Sequence, residues 1–157
     1  MIRVGFGFDV HQLVEGRPFW MGGIQIDHTY GLLGHSDADV LIHAICDALL
    51  GAANMRDIGY HFPDTGAEFK DVDSKNLLRR TVELIATKGF RVGNVDCTIV
   101  AERPKLNPHV EAMKSCLSSL MNVTEEDVSI KATTCERMGF VGREEGITAY
   151  AIVLIEK

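Results

Sequence analysis

The sequence predicts an α+β fold: one mixed β-sheet with its helices gathered on one face, carried by a single domain spanning residues 1–157. Three observations predict it. Helical and strand periodicities alternate along the chain, the pattern of a sheet covered by helices. The last two strand-like runs, residues 128–134 and 148–155, are separated only by a glycine-containing stretch, which leaves no room for the helical crossover a purely parallel sheet requires. The composition, 46% hydrophobic and 24% charged over 157 residues, suits a self-contained core, because a domain of this size buries roughly 68–70% of its unfolded surface. Covering one face of a sheet leaves the other in need of a partner, which a homo-oligomer supplies.

Each element has its own local signal. Residues 2–8 alternate and carry glycines, reading as a strand that delivers Asp9 and His11 at its end, both pointing the same way because strand side chains repeat every second residue. Residues 17–27 set Gly22-Gly23 between two short apolar runs, a hairpin signal. From Ser36 the pattern turns helical, with Val40, Leu41, Ala44, Ile45, Ala48 and Leu49 at three-to-four spacing, Ser36 as N-cap and Asp39 three positions on. Residues 55–71 scatter Gly, Pro and Asp without periodicity and read as one long functional loop. Asp73 or Ser74 starts a second helix whose apolar face uses Leu77, Leu78, Thr81, Leu84 and Ile85, and Lys88-Gly89 stops it. After a β-rich run over 90–101, Asn107-Pro108 opens a third helix with Val110, Met113, Leu117, Leu120 and Met121 on one face, ending near Asn122. The two last strands complete the chain, and no internal repeat is present.

A formal charge of −6, with acidic residues spread along the chain, gives no footprint for nucleic acid. The apolar runs fall far short of the roughly 20 residues needed to span a bilayer, and no export or transit signal precedes the first strand. The expected location is therefore a bacterial cytoplasm, or a plastid if a transit peptide has been removed. Cys46, Cys97, Cys116 and Cys135 are too far apart for a zinc ribbon and read as reduced, buried thiols.

Asp9 and His11 offer a carboxylate and an imidazole on one side of a strand, which suits a borderline-soft divalent metal such as zinc, with His43 as candidate third ligand. Three protein ligands leave a fourth position for substrate. The competing reading makes His43 a core histidine paired with Asp39 or Asp47 on its own helix. Residues 131–136 place two threonine hydroxyls and the Glu136 carboxylate where a strand gives way to a loop; they suit phosphate oxygens and a hard ion such as Mg²⁺, or are simply a threonine-rich strand end. Ser36 either caps a helix or also presents that helix's free amides to a phosphate. Asp57-Ile58-Gly59 and Phe62-Pro63-Asp64 are equally compatible with turn chemistry. The Gly5-Phe6-Gly7 hint of a dinucleotide loop lacks its third glycine and the helix that should follow.

Taken together, Gly7-Phe8-Asp9-Val10-His11, Gly34-His35-Ser36-Asp37-Ala38-Asp39, Asp57-Ile58-Gly59 with Phe62-Pro63-Asp64, and the long run from Lys131 to Gly146 resemble the 2-C-methyl-D-erythritol 2,4-cyclodiphosphate synthase family in order and over nearly the whole chain. The resemblance implies a cyclising lyase that converts 4-diphosphocytidyl-2-C-methyl-D-erythritol 2-phosphate to the cyclic diphosphate and CMP. It implies zinc on Asp9, His11 and His43, and a second ion, Mg²⁺ or Mn²⁺, on Glu136. His35 and Thr134 match residues that stabilise the transition state, with Ser36 beside them. Asp57, Gly59, Phe62, Asp64 and Gly66 match the part that holds the methylerythritol, and Ala101, Lys105, Leu106, Ala132 and Thr133 the cytidine and phosphate pocket. The resemblance further implies a homotrimer with its sites between subunits, and an axial channel lined by Phe8, Phe140 and Arg143 that takes an isoprenoid diphosphate. Cys135, where a third threonine is frequent, and Glu102-Arg103 beside the nucleotide loop depart from the pattern. A metal-dependent phosphohydrolase and a non-catalytic trimeric binding module are the two competing functions.

Overall fold

The computed structural model describes residues 1–63 and 72–157. A five-stranded sheet forms its centre, built from β1 (Ile2–Glu15), β4 (Tyr30–Leu33), β5 (Arg91–Val100), β6 (Val128–Thr133) and β7 (Gly146–Glu156) in the order β4-β1-β7-β5-β6. β7 runs antiparallel to both β1 and β5, while β5 and β6 are parallel, so the sheet is mixed as expected. The last two strands in sequence are not neighbours, because β5 lies between them.

The glycine pair makes the expected hairpin, β2 (Phe19–Met21) against β3 (Ile24–Ile26), with Gly22 and Gly23 at φ 61° and 82°, the left-handed values that a turn asks of glycine. Three longer helices follow: α1 (Val40–Ala52), α3 (Ser74–Thr87) and α4 (Val110–Met121), the last preceded by a 3-10 turn over Asn107–His109 that carries the proline. Asn122 ends α4 in the left-handed conformation. Short helical turns α2 (Ile58–His61) and α5 (Gly139–Gly142) fill the loops.

Four local differences from the sequence reading have physical causes. β1 does not end before Asp9: it runs on to Glu15, so Asp9 and His11 lie inside the strand, braced by β7 on one side and β4 further along on the other. The cap of α1 is Asp39 rather than Ser36, because Ala38 adopts a left-handed φ of 57° that no helix continues through; the Asp39 carboxylate accepts the Ile42 amide at 3.1 Å. β4 has only four residues and no period long enough to read. Within residues 55–71, Asp57 caps α2 by accepting the Tyr60 amide at 3.0 Å, and the expected loop residues Asp64 and Gly66 lie outside the described residues.

All the long helices cover one face of the sheet, and α1 is buried nearly all round because the sheet, the hairpin and α3 enclose it. β1 approaches α1 through Gly5 and Gly7: a Cβ built on either would stand 1.9 Å from a carbonyl oxygen of α1, that of Ala48 or Ala44. These glycines therefore serve helix–strand contact and not a nucleotide. On the uncovered face β1 presents Ile2, Val4, Phe6, Phe8 and Val10, joined by Tyr150 and Ile152 of β7, all substantially exposed. A contiguous apolar sheet face of this kind marks an interface.

Candidate active site

The strand period turns Asp9 and His11 toward α1, where His43 meets them one turn into the helix. The Asp9 Oδ2 atom lies 2.9 Å from His11 Nε2 and 3.1 Å from His43 Nδ1, and the two imidazole nitrogens are 3.1 Å apart. This is nearly an equilateral triangle of donor atoms. A tetrahedral zinc with bonds of about 2.0–2.1 Å spaces its ligands about 3.4 Å apart, so a small relaxation of the triangle admits the ion.

Surrounding groups fix the tautomers. The Nδ1–H of His11 donates to the Leu33 carbonyl at 2.8 Å, leaving the Nε2 lone pair toward the triangle. On His43 the opposite nitrogen, Nε2, faces Ser74 Oγ at 2.9 Å and Ser36 Oγ at 3.2 Å. Ser74 Oγ in turn donates to the Asp37 carboxylate and is thus oriented to accept the Nε2–H, which frees Nδ1 for an ion. Among the described residues the His43 ring makes no hydrogen bond or ion pair with Asp39 or Asp47; its polar partners are Asp9, His11, Ser36 and Ser74. Burial opposes ionisation of Asp9, but the hydrogen bonds and charges of His11 and His43 overcome it and hold its carboxyl at about 2. Burial likewise disfavours the charged form of His11, yet Asp9 raises it above the ordinary range. The pair suits a cation well.

The triangle lies on the wall of a cavity of about 200 Å³ lined by Asp9, His11, His35, Ser36, His43, Ile58, Gly59, Phe62, Val72 and Leu77. Asp47 docks α2 onto α1 by accepting the Ile58 amide at 2.8 Å, and this carries Gly59 and Phe62 to the cavity. Asp57 stands at the cap of the same helix. The structure therefore unites the three expected zinc ligands with His35, Ser36, Gly59 and Phe62.

A second cavity of about 260 Å³ collects Ala101, Lys105, Leu106, Ala132, Thr133 and Thr134, where β5 and β6 end side by side and Asn107 closes the loop. The two cavities share no lining residue among the described residues, and His35 lines the first while Thr134 lines the second. Glu136 follows in a turn, exposed, with its carboxylate free of any hydrogen bond or ion pair among the described residues. As a lone hard-oxygen donor it fits an ion that completes its shell with phosphate and water. Phe8 and Phe140 lie on the uncovered face, Phe140 over Gly146, while Arg143 is held by both oxygens of Glu145 at 2.8 and 3.2 Å.

Sequence reasoning missed the Asp37–Ser74 support of His43 and the cavity walls Ile58, Val72 and Leu77. Ser74 was visible only as a helix start. It lies 31 residues from His43, a separation that no local period reports.

Residues 2–156 match the family model of the YgbB family. The chain is 70% identical over 156 residues to the 2-C-methyl-D-erythritol 2,4-cyclodiphosphate synthase of Bacteroides thetaiotaomicron, a match covering 99% of this chain and 98% of the relative. A solved 2C-methyl-D-erythritol-2,4-cyclodiphosphate synthase in its CDP-bound form has a TM-score of 0.91 at 35% identity, over 98% of this chain and 100% of that one. The bifunctional IspDF of Campylobacter jejuni has a TM-score of 0.95 at 41% identity over 99% of this chain, which spans 42% of that larger protein.

Proposed function

The chain belongs to the YgbB family, and from that premise we propose that it is a cyclising lyase of the non-mevalonate isoprenoid pathway, acting through the two cavities described above. Its substrate is 4-diphosphocytidyl-2-C-methyl-D-erythritol 2-phosphate. An oxygen of the 2-phosphate attacks the β-phosphorus, the bond from that phosphorus to the bridging oxygen breaks, and CMP leaves with the bridging oxygen. The products are 2-C-methyl-D-erythritol 2,4-cyclodiphosphate and CMP. The nucleophile is already ionised, so no general base is needed, and the protein's task is positioning and charge stabilisation.

Asp9, His11 and His43 would hold zinc, and Glu136 a magnesium or manganese ion. When bound, the two ions supply positive charge to the phosphate oxygens. His35 and Ser36 line the metal cavity and would donate to the phosphates; Gly59 and Phe62, with Asp57 beside them, would hold the methylerythritol hydroxyls, a role that extends to Asp64 and Gly66. The strand ends with Ala101, Lys105, Leu106, Ala132, Thr133 and Thr134 would receive the cytidine diphosphate, a reading supported by the CDP-bound form of a relative.

The separate cavities and the bare apolar sheet face support a homotrimer in which the metal cavity of one subunit meets the nucleotide cavity of the next. Stacked sheet faces would also enclose Phe8, Phe140 and Arg143 around an axis able to take an isoprenoid diphosphate. No helix among the described residues is long and apolar enough to cross a membrane, and the relative from Bacteroides thetaiotaomicron is bacterial, which fits a cytoplasmic location.

The observation that carries the reading is the donor triangle of Asp9, His11 and His43 in one cavity with His35, Ser36 and Gly59. Its test is phosphorus NMR of the protein with substrate and Mg²⁺, before and after zinc is stripped. Zinc-dependent appearance of a cyclic diphosphate with CMP is expected; linear products would instead establish a phosphohydrolase, and unchanged substrate a binding module.

A further inference from the structure

The turn that carries Thr134 and Glu136 is closed by one backbone bond, the Met138 amide donating to the Cys135 carbonyl at 2.9 Å, and its remaining amides depend on side chains. Glu136 and Arg137 are consecutive non-glycine residues in the left-handed region, φ 51° and 61°, where each Cβ crowds the following carbonyl. Two side chains restrain the turn from outside the backbone ladder. The Glu136 amide donates to Thr134 Oγ1 at 3.2 Å, and the amides of Cys135 and Arg137 both donate to one oxygen, Oε1 of Glu102, at 3.0 and 3.1 Å. The alternate amides of residues 135 and 137 thus converge on one anionic oxygen, a concavity filled here by the protein's own carboxylate, while the amide between them is taken by Thr134.

Glu102 reaches across 33 residues of sequence to make the first of these bonds, from the loop that follows β5. Its neighbour Arg103 grips Glu144 through Nε at 3.0 Å and Nη2 at 2.9 Å, which ties the same loop to the corner between α5 and β7. Glu102 also lines the second cavity beside Lys105 and Thr134. The loop that walls the nucleotide cavity is thus joined to the turn that presents Thr134 and Glu136.

We infer that Glu102 is a positioning residue: its carboxylate locks the 134–137 turn in the conformation that presents the Thr134 hydroxyl and the Glu136 carboxylate to a diphosphate and its divalent ion. The inference rests on the reading of Glu136 as that ion's ligand. Both bonds end on one oxygen, so an amide keeps the acceptor and loses only the charge, whereas alanine loses both. The order of function is therefore wild type, then Glu102→Gln, then Glu102→Ala.

The test is Mn²⁺ binding to the zinc-loaded protein in the presence of CDP, followed by electron paramagnetic resonance, with zinc content and melting temperature measured alongside. Glu102→Ala is expected to weaken Mn²⁺ about 10-fold, the usual scale for loss of a group that orients a metal ligand, with zinc content unchanged and Glu102→Gln restoring most of the affinity. Glu136→Gln is the reference and is expected to lose Mn²⁺. Normal Mn²⁺ binding by Glu102→Ala beside a weakened Glu136→Gln overturns the role of Glu102 alone. Normal binding by Glu136→Gln overturns the reading of Glu136 and the inference with it. Loss of zinc and Mn²⁺ together in Glu102→Ala overturns positioning in favour of general stability. Should Glu102→Ala not fold, Glu102→Asp decides: one methylene shorter at the same charge, it is expected to bind Mn²⁺ several-fold more weakly, and wild-type binding overturns the inference.

Discussion

Replacing Gly7 by alanine tests whether the site depends on how closely α1 lies on β1. The new methyl carbon would stand 1.9 Å from the Ala44 carbonyl oxygen and 2.8 Å from the Ala48 nitrogen, where ordinary contact begins near 3.4 Å, so the helix must retreat by about 1.5 Å. Both obstructing atoms are backbone, so no rotamer change relieves them. His43 adjoins Ala44 and moves with it, which stretches its 3.1 Å separations from Asp9 and His11 toward about 4.5 Å. Tetrahedral zinc requires about 3.4 Å between ligands and tolerates only a few tenths of an ångström, so zinc affinity should fall at least 100-fold. Overpacking adds a stability loss of about 3 kcal/mol, or roughly 6–12 °C in melting temperature for a chain of this length. Gly51→Ala is the internal control: it lies in the same helix with nothing within 4 Å of its built Cβ, and should stabilise by about 0.5–1 kcal/mol with zinc unchanged. Competition with a chromophoric chelator and calorimetry measure both quantities. A Gly7→Ala protein that binds zinc like wild type and melts within 2 °C of it would refute the argument.

Three further perturbations separate the contributions. Ser74→Ala removes the acceptor that fixes the His43 tautomer and should raise the zinc dissociation constant 10- to 100-fold in a chelator competition; wild-type affinity would mean that Ser74 only caps. Asp39→Ala strips the buried amides of Gly22, Gly23 and Ile42 of their acceptor, at 2.9, 2.7 and 3.1 Å, and should cost about 3–5 kcal/mol in urea unfolding, with a loss below 1 kcal/mol contradicting the assignment. Phe6→Glu charges the uncovered sheet face without touching either cavity. Light scattering should then report a particle near 17.3 kDa in place of one three times heavier, while an unchanged mass would place the subunit interface elsewhere.

The elements with a clean period were legible: α3 and α4 through their three-to-four spacing, and the β2–β3 hairpin through Gly22-Gly23. The start of α1 was not, because Ser36 and Asp39 are both good caps and the choice depends on the left-handed backbone at Ala38. In the site, Asp9 and His11 were readable from a two-residue spacing. His43 was readable only as a candidate, since its actual neighbours, Asp9 and His11 on β1 with Ser36 and Ser74, come from other parts of the chain. The support that Glu102 gives the 134–137 turn left no local trace, because a carboxylate in a loop looks the same whether it faces water or two amides.

β1 shows why the rest needed three dimensions. Its even positions Ile2, Val4, Phe6, Phe8 and Val10 are apolar, and its odd positions Arg3, Gly5, Gly7, Asp9 and His11 are small or polar; by amphipathicity alone the even side should face the core. The structure does the reverse, turning the glycines and ligands toward α1 and leaving the apolar side open. Both halves of that inversion have one cause. The odd side is small where α1 approaches and polar where the proposed ion would sit, so it cannot also supply hydrophobic burial, and in the proposed trimer the even side would find its burial against other subunits. A strand so patterned is stable only when the metal side is closed by its own helix and the apolar side by a second copy, which makes the proposed trimer and the proposed metal site two consequences of the same ten residues.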